Sequence, residues 1–452
     1  MTTAAVDLEA PVESIDALVS YLRAGEKPPE CWRVGTEHEK IGLHTGDHSP
    51  VGYAGERGIG KLLEQMAELG GWEPVFDDGN IVGLQKDRAS ITLEPGGQLE
   101  LSGAPLRTIH ETCQEFHTHL DVVRRVSEPL EIIWLGLGIH PIHSVEQLPQ
   151  MPKQRYRIMR RYLPTRGSRS LIMMFATATV QANLDYESER DMVEKVRTAL
   201  GISPIVSAIF ANSSLSEGKA NGFVSRRMHA WSDTDPDRCG MLPIAFESDF
   251  GYRRYVEWAL DVPMFFVVRG DRYEAAHDQT FRQFLESGRE KERPTLADFD
   301  RHLTTLFPDV RVKQFIEVRG ADAVPPDLTC SLPALWKGVL YDAIAREAAG
   351  GLVSGMSQDE REAASEAVAR HGLAANYAGQ PVLGLARELA EIARGGLQRI
   401  AHAGPNAPDE SVFLDPILAQ LDLAKSPGTI VLECWEGEWE RSFDRLIEYA
   451  KY

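Results

Sequence analysis

The sequence predicts an α+β protein built around an antiparallel sheet. Several segments before residue 320 alternate polar and apolar residues with period two, as half-buried antiparallel strands do. From Leu335 to Arg399 the pattern changes to helical spacing rich in Ala, Glu and Arg, with breaks such as Gly350-Gly351. Strands followed by helices favour α+β over a doubly wound sheet. There is no internal repeat or low-complexity linker, so one domain is expected over residues 1–452, with a sheet-forming core at about 31–330 and a mainly helical part at 331–452.

Taken in order, Ile15, Leu18, Val19 and Leu22 form a helical stripe that ends at Gly25. Val34 to Lys40 reads as a short strand with Glu37 and Glu39 on one face and His38 on the other. A helix through Leu62, Leu63, Met66 and Leu69 closes at Gly70-Gly71, and Asp77-Asp78-Gly79-Asn80 is a turn. Residues 90–93 and 98–102 are two strands around Glu94-Pro95-Gly96-Gly97, the second showing Gln98, Glu100 and Ser102 on one face. Ile109, Cys113, Phe116, Leu120 and Val123 mark a long helix, and residues 132–137 a buried strand. Residues 177–185 alternate most clearly, with Thr177, Thr179, Gln181, Asn183 and Asp185 on a wholly polar face. A helix over 193–210, interrupted at Pro204, precedes strands at 262–268 and 312–318, and a strand at 429–433 precedes a last helix at 440–449.

The composition narrows the function. With 48 basic and 67 acidic residues the formal charge is −19, which argues against nucleic acid or an anionic membrane as main partner. No apolar run reaches the length of a membrane span. Residues 1–11 lack a basic and an apolar leader segment, so a cytoplasmic protein without signal or transit peptide is expected. The five cysteines (Cys31, Cys113, Cys239, Cys330, Cys434) include no C-x-x-C pair.

Four segments place polar groups on a single face: Glu37/Glu39, Gln98/Glu100, the 177–185 strand, and Glu317 with Arg319. If they share a sheet, that face collects carboxylates too costly to bury unpaired. It is then either a solvated face or a floor for Mg²⁺ ions that bridge carboxylates to nucleotide phosphates. Arginines cluster at Arg155, Arg157, Arg160 and Arg161 and again at Arg226-Arg227, and arginine grips phosphate and carboxylate bidentately. Other motifs are absent or weak. Gly136-Leu137-Gly138 lacks a third glycine, and neither a P-loop nor G-x-S-x-G occurs. His110, His117 and His119 read as surface residues of their helix, and His140 and His143 as loop residues.

The ordered motifs Gly35-Thr36-Glu37-His38-Glu39-Lys40, Glu94 to Pro105, Met151-Pro152-Lys153, Val180 to Asp185, Asn221-Gly222-Phe223, Leu260 to Met264 and Glu317 to Asp322 resemble the plant-type glutamate–cysteine ligases. The resemblance implies a glutamine-synthetase-like curved antiparallel sheet with helices on its convex side. It implies ATP-dependent ligation of L-glutamate to L-cysteine through γ-glutamyl phosphate, the first step of glutathione biosynthesis. A related ligase for another amine, or a silent binding homologue, are the alternatives. By resemblance Glu37, Glu39, Glu94, Glu100 and Glu317 hold Mg²⁺, Gln181 and Asn183 line the same floor, and Arg319 steadies the phosphates. Arg227 binds glutamate, with Trp231 shaping the pocket and Arg155 a second clamp. The partners implied are ATP, L-glutamate and L-cysteine, in a monomer or homodimer. Cys113 and Cys330 match a disulfide that raises activity on oxidation in plant members, while a second cysteine pair found in plants has no counterpart, since Cys239 lacks a partner. The segment from Ser426 to Tyr452 departs from the family and carries nothing over.

Overall fold

A computed structural model describes residues 7–405 and 407–452; residues 1–6, part of the stretch read for a leader, lie outside the described residues. Among the described residues, nine strands form one antiparallel sheet. They are β1 (Val34–His44), β2 (Glu73–Asp77), β3 (Asn80–Lys86), β4 (Ala89–Leu93), β5 (Leu99–Ser102), β6 (Ile132–Leu135), β7 (Val180–Leu184), β8 (Val310–Val312) and β9 (Ile316–Val318). Their order is β8-β9-β7-β1-β5-β4-β3-β2, and β6 pairs with the far half of β1.

β1 is longer than its motif because it serves two partners in succession. Its first half lies between β5 and β7, and Ile41 to His44 continue against β6. The β2–β3 connection is the expected turn, with Asp78 at φ 50° and Gly79 at φ 76°, the left-handed pair that a tight hairpin requires. One face of the central strands is apolar. Leu99, Leu101, Val180, Ala182, Leu184, Ile316 and Val318 are buried there.

Helices cover that face. The first part of the chain supplies α1 (Ile15–Arg23), α2 (Ile59–Gly70), α3 (Ile109–Ser127) and α6 (Glu189–Ile209), while α4 (Gln154–Tyr162), α5 (Ser170–Ala176) and α7 (Arg226–Trp231) border the polar side. The later part adds α8 (Ser331–Leu340), α9 (Gln358–His371), α10 (Val382–Ile400), α11 (Pro427–Glu436) and α12 (Phe443–Ala450). α2 and α3 close the core behind β3, β4 and β5, while α6, α8 and α10 close it behind β7, β8 and β9. α11 and α12 return to the sheet, where Trp435 and Leu446 pack with Ile41, Leu43 and Leu135. Cys113 on α3 is disulfide-bonded to Cys330, next to α8, across a sequence separation of 217.

The structure corrects several expectations. Residues 312–318 are two strands, because Lys313 to Phe315 reverse the chain (Lys313 N–H donates to the Phe315 carbonyl, 2.8 Å). Of 262–268 only Phe266–Arg269 is a strand, in a separate hairpin with Arg272–Ala275. Residues 429–433 are helical: the Ser426 hydroxyl caps the Thr429 N–H and Pro427 occupies the first turn, a start signal that outweighs the β-branched run. α6 runs through Pro204 unbroken, with Leu200, Gly201, Ile202, Ser203 and Pro204 all buried. His119 is 6% exposed and buried, against the surface reading, and His110 is half-buried; only His117 is exposed.

The closest helix contact is glycine-dependent. A Cβ on Gly396 of α10 would stand 1.9 Å from the Gly338 carbonyl oxygen, and one on Gly338 of α8 2.3 Å from that of Ala393. Gly396→Ala is expected to push α8 and α10 apart and to cost about 1–3 kcal/mol, read as a lower thermal midpoint. An unchanged midpoint would show that the helices do not pack this tightly.

Candidate active site

Register places three rows of side chains across the polar face of the sheet. Thr92, Glu100 and Glu39 are successive cross-strand partners on β4, β5 and β1. Ser90, Ser102, Glu37 and Gln181 form the next row, reaching β7. Gly35, Asn183, Glu317 and Arg311 form the third, out to β8 at the edge. The four segments singled out by alternation therefore do share one face. Glu94 joins them from the turn after β4, where Gly97 has φ 91° and a Cβ on Gly96 would collide with the Phe175 carbonyl at 2.0 Å.

The carboxylates are crowded and short of counter-charge. Burial, then Glu317 and Glu100, push Glu37 up to about 8, opposed by the Asn183 amide that donates to it at 2.9 Å. Burial, then Glu100 and Glu94, hold Glu39 well above the usual carboxylate range; its Oε2 accepts the Thr179 N–H (3.0 Å). Glu100 is raised by burial and by Glu94, against the Thr92 hydroxyl at 2.7 Å. The Oδ1 of Asn183 is buried without a hydrogen-bond partner. An all-oxygen set of mutually repelling carboxylates with a spare amide oxygen fits a hard divalent cation.

Glu317 sits in a different setting. It is fully buried, and Arg311 grips it through Nε (2.7 Å) and Nη2 (2.8 Å) while Arg319 Nη1 reaches Oε1 at 2.5 Å. Burial opposes ionisation there, but Arg311, Lys313 and Arg319 overcome it and hold the carboxyl well below its usual range. Arg319 also donates to Gln181 Oε1 (2.9 Å), so it lies flat over the floor. Arg311 had escaped sequence reading; it lies one residue before the segment taken as a strand, and only the unrecognised hairpin brings it opposite Glu317.

Beside the floor lie two adjoining cavities of about 70 and 590 Å³. Arg227, Trp231, Phe307 and Arg319 line both and form the wall between them. Arg227 is 3% exposed and held by backbone oxygens, donating to the carbonyls of Gly320 (3.2 Å) and Arg319 (2.9 Å). Arg155 lines the smaller cavity with Glu39 and Glu94, and its Nε, like Trp231 Nε1, is a buried donor without a partner. The residues singled out from the arginine clusters and the acidic strands thus meet, except Arg157, Arg160, Arg161 and Arg226, the last lying over the Phe223 ring. Arg157 and Arg160 take surface contacts with Asp78 and Gln150, and Arg161 lines neither cavity. Asp185 also departs: it accepts Lys27 (2.5 Å) and the Arg33 N–H (2.8 Å) at the end of β7. Lys153 and Tyr156 were not given roles by sequence reading. Lys153 donates to the Leu93 carbonyl (2.8 Å), and burial lowers its ammonium to about 8 even though Glu94 favours the charged form.

A family model described as glutamate–cysteine ligase family 2 matches residues 33–445. The chain belongs to this family. It is accordingly an enzyme of the ligase class. It is 43% identical over 439 residues to a chloroplastic glutamate–cysteine ligase of Medicago truncatula, covering 96% of this chain and 84% of that protein. It is 42% identical over 454 residues to the chloroplastic ligase B of Oryza sativa subsp. japonica, covering 100% and 90%. Among solved structures, a glutamate–cysteine ligase of Francisella tularensis in complex with AMP superposes with a TM-score of 0.53 at 12% identity, over 93% of this chain and 87% of that one, a likeness of fold. The expected antiparallel sheet and helical cover are those of this ligase fold. The cytoplasmic expectation is overturned by the plant relatives, which are named chloroplastic.

Arg311 and Glu317 make a testable pair. Arg311→Ala is expected to destabilise the fold by up to about 3–5 kcal/mol, since it strips a buried carboxylate of its bidentate partner. Arg319 and Lys313 remain to soften the loss, and chemical denaturation measures it.

Proposed function

We propose that this chain joins L-glutamate to L-cysteine at the carboxylate floor, as a single catalytic unit. ATP phosphorylates the γ-carboxylate of glutamate, and the amine of cysteine displaces phosphate from the acyl phosphate, giving γ-glutamylcysteine, ADP and phosphate. A carboxylate oxygen is a poor leaving group until it carries a phosphoryl group, and transfer between two anions needs cations that screen and align them. The observation that carries this reading is the cluster of Glu94, Glu39, Glu100 and Glu37, under-compensated in charge, beside a wall of Arg227 and Arg319.

In this arrangement Mg²⁺ held by Glu37, Glu39, Glu94 and Glu100 would screen the nucleotide phosphates and polarise the transferred group. Glu317 completes the floor mainly by fixing Arg319, whose guanidinium steadies the phosphates. Gln181 orients Arg319, and Asn183 positions Glu37 and offers its free oxygen to the cation. Arg227 and Arg155 bind the glutamate carboxylates, with the Trp231 ring packed beside Arg227 (5.8 Å) and its indole N–H left without a protein partner. The Cys113–Cys330 bond ties α3, which lies behind β1, to α8, which lies behind β7, so its state bears on the shape of the floor between them.

With ATP, Mg²⁺ and L-glutamate present, phosphate release is expected to rise sharply on adding L-cysteine and little with other amines; a flat response across an amine panel would remove cysteine as the acceptor. Arg227→Ala should raise KM for glutamate about 10–100-fold, the worth of a charge-assisted hydrogen bond. Glu39→Gln should cut turnover by about 100-fold or more while the fold is kept, as judged by circular dichroism. Near-normal turnover would take Glu39 off the floor.

A further inference from the structure

The disulfide has a third neighbour. His117 stands one helical turn after Cys113 on the same side of α3, and one ligand atom from each of Cys113, His117 and Cys330 lies within 4.8 Å of the others. Two sulfurs and an imidazole nitrogen are the donor set of thiophilic cations, unlike the all-oxygen floor of the active site. Access follows from exposure: His117 is exposed, Cys113 half-buried and Cys330 6% exposed, so an ion entering past the imidazole meets the sulfurs behind it.

We infer that, once the Cys113–Cys330 bond is reduced, Cys113, Cys330 and His117 form a binding site for a thiophilic divalent cation, above all Zn²⁺. A dithiol supplies two electrons and two protons, the S–S bond breaks, and the dithiol leaves as its own disulfide. Each cysteine is then a thiol, and the cation displaces both thiol protons to solvent. Zn²⁺ with two thiolates is neutral, and His117 adds an uncharged nitrogen. Tetrahedral ligands at ordinary zinc distances stand about 3.4–3.8 Å apart. The present cluster meets that spacing by side-chain rotation while the Cα atoms of the cysteines remain 5.7 Å apart. Three protein ligands leave the fourth position to water.

Disulfide and metal are therefore alternative clasps between α3 and the start of α8, and they exclude each other. Oxidation leaves no thiolate for the ion, and the bound ion withholds the thiolates from oxidants. The link that joins segments 217 residues apart thus persists in a reducing compartment wherever zinc is available. This inference stands apart from the ligase reading, since it concerns groups behind the sheet that touch neither cavity.

The test uses the full chain, reduced with dithiothreitol, freed of it without air and titrated with Zn²⁺ against a chromophoric chelator in the absence of cysteine. One more Zn²⁺ per chain is expected in the reduced protein than in the oxidised protein, where only the carboxylate floor remains. His117→Ala should weaken binding of this ion at least about tenfold, and Cys113→Ser should remove it. Co²⁺ in place of Zn²⁺ should give a sulfur-to-cobalt charge-transfer band that disappears in Cys113→Ser. Should that variant fail to fold, the unaltered chain still decides. Zn²⁺ is expected to slow alkylation of Cys113 and Cys330, mapped by mass spectrometry, and not that of the exposed Cys31. Equal binding by reduced and oxidised protein, binding of this ion that survives Cys113→Ser, or alkylation rates indifferent to Zn²⁺ would each overturn the site.

Discussion

The register of β1 is the constraint on which the site depends. It is the strand shared by β5, β6 and β7, and its pairing sets Glu39 opposite Glu100 and Glu37 opposite Gln181. A slip of one residue would turn His38 and Lys40 onto the floor and drive both glutamates into the helical cover. The apolar face prevents it. Val34 on β1, Leu99 and Leu101 on β5, and Val180, Ala182 and Leu184 on β7 are buried on that face, where a slip would put the glutamates.

That constraint has an electrostatic counterpart behind the sheet. His38 and Lys40 are 1% and 0% exposed, beneath the same stretch of strand that carries the two glutamates. His38 satisfies one ring nitrogen with the Thr36 hydroxyl (3.0 Å), and Lys40 donates to the His38 carbonyl (3.1 Å). Burial lowers the Lys40 ammonium to about 7, against the pull of Glu100 and Glu39 from the other side. A cation behind and a cation-seeking floor in front are two faces of one charge balance. His38 itself is kept neutral by burial and by Lys40, and does not reach the cavities.

How much of this was legible follows from which signals are local. Alternation is local, so Glu37/Glu39, Glu100, Gln181 with Asn183, and Glu317 could be assigned to one face before any pairing was known. The cap of α11 is local too, and Ser426-Pro427 competes there with the β-branched run at 429–433. Arg311 was invisible for a different reason: its partner lies six residues on, across a reversal at Lys313 to Phe315 that no glycine or proline announces. Likewise, the burial of His119 depends on what packs over α3 and not on its position along it. Roles for Lys153 and Tyr156 need the fold, since both donate from the start of α4 to the Leu93 carbonyl, beside the turn that carries Glu94.

The stretch Glu317 to Asp322 shows how a short motif can organise two sides of a site at once. Glu317 and Arg319 belong to the floor, while the carbonyls of Arg319 and Gly320 hold the Arg227 guanidinium. Two residues on, the buried Asp322 accepts the hydroxyls of Ser213 (2.6 Å) and Ser225 (2.9 Å). Ser225 caps α7 through the Met228 N–H, and Ser213 accepts the Arg227 N–H (3.0 Å), so Asp322 fixes the start of the helix that carries Arg227 and Trp231. The phosphate-side arginine and the substrate-side arginine are thereby set by one backbone segment, leaving little freedom between them. For a reaction in which a phosphoryl group crosses from one anion to another, that fixed separation is what positioning requires.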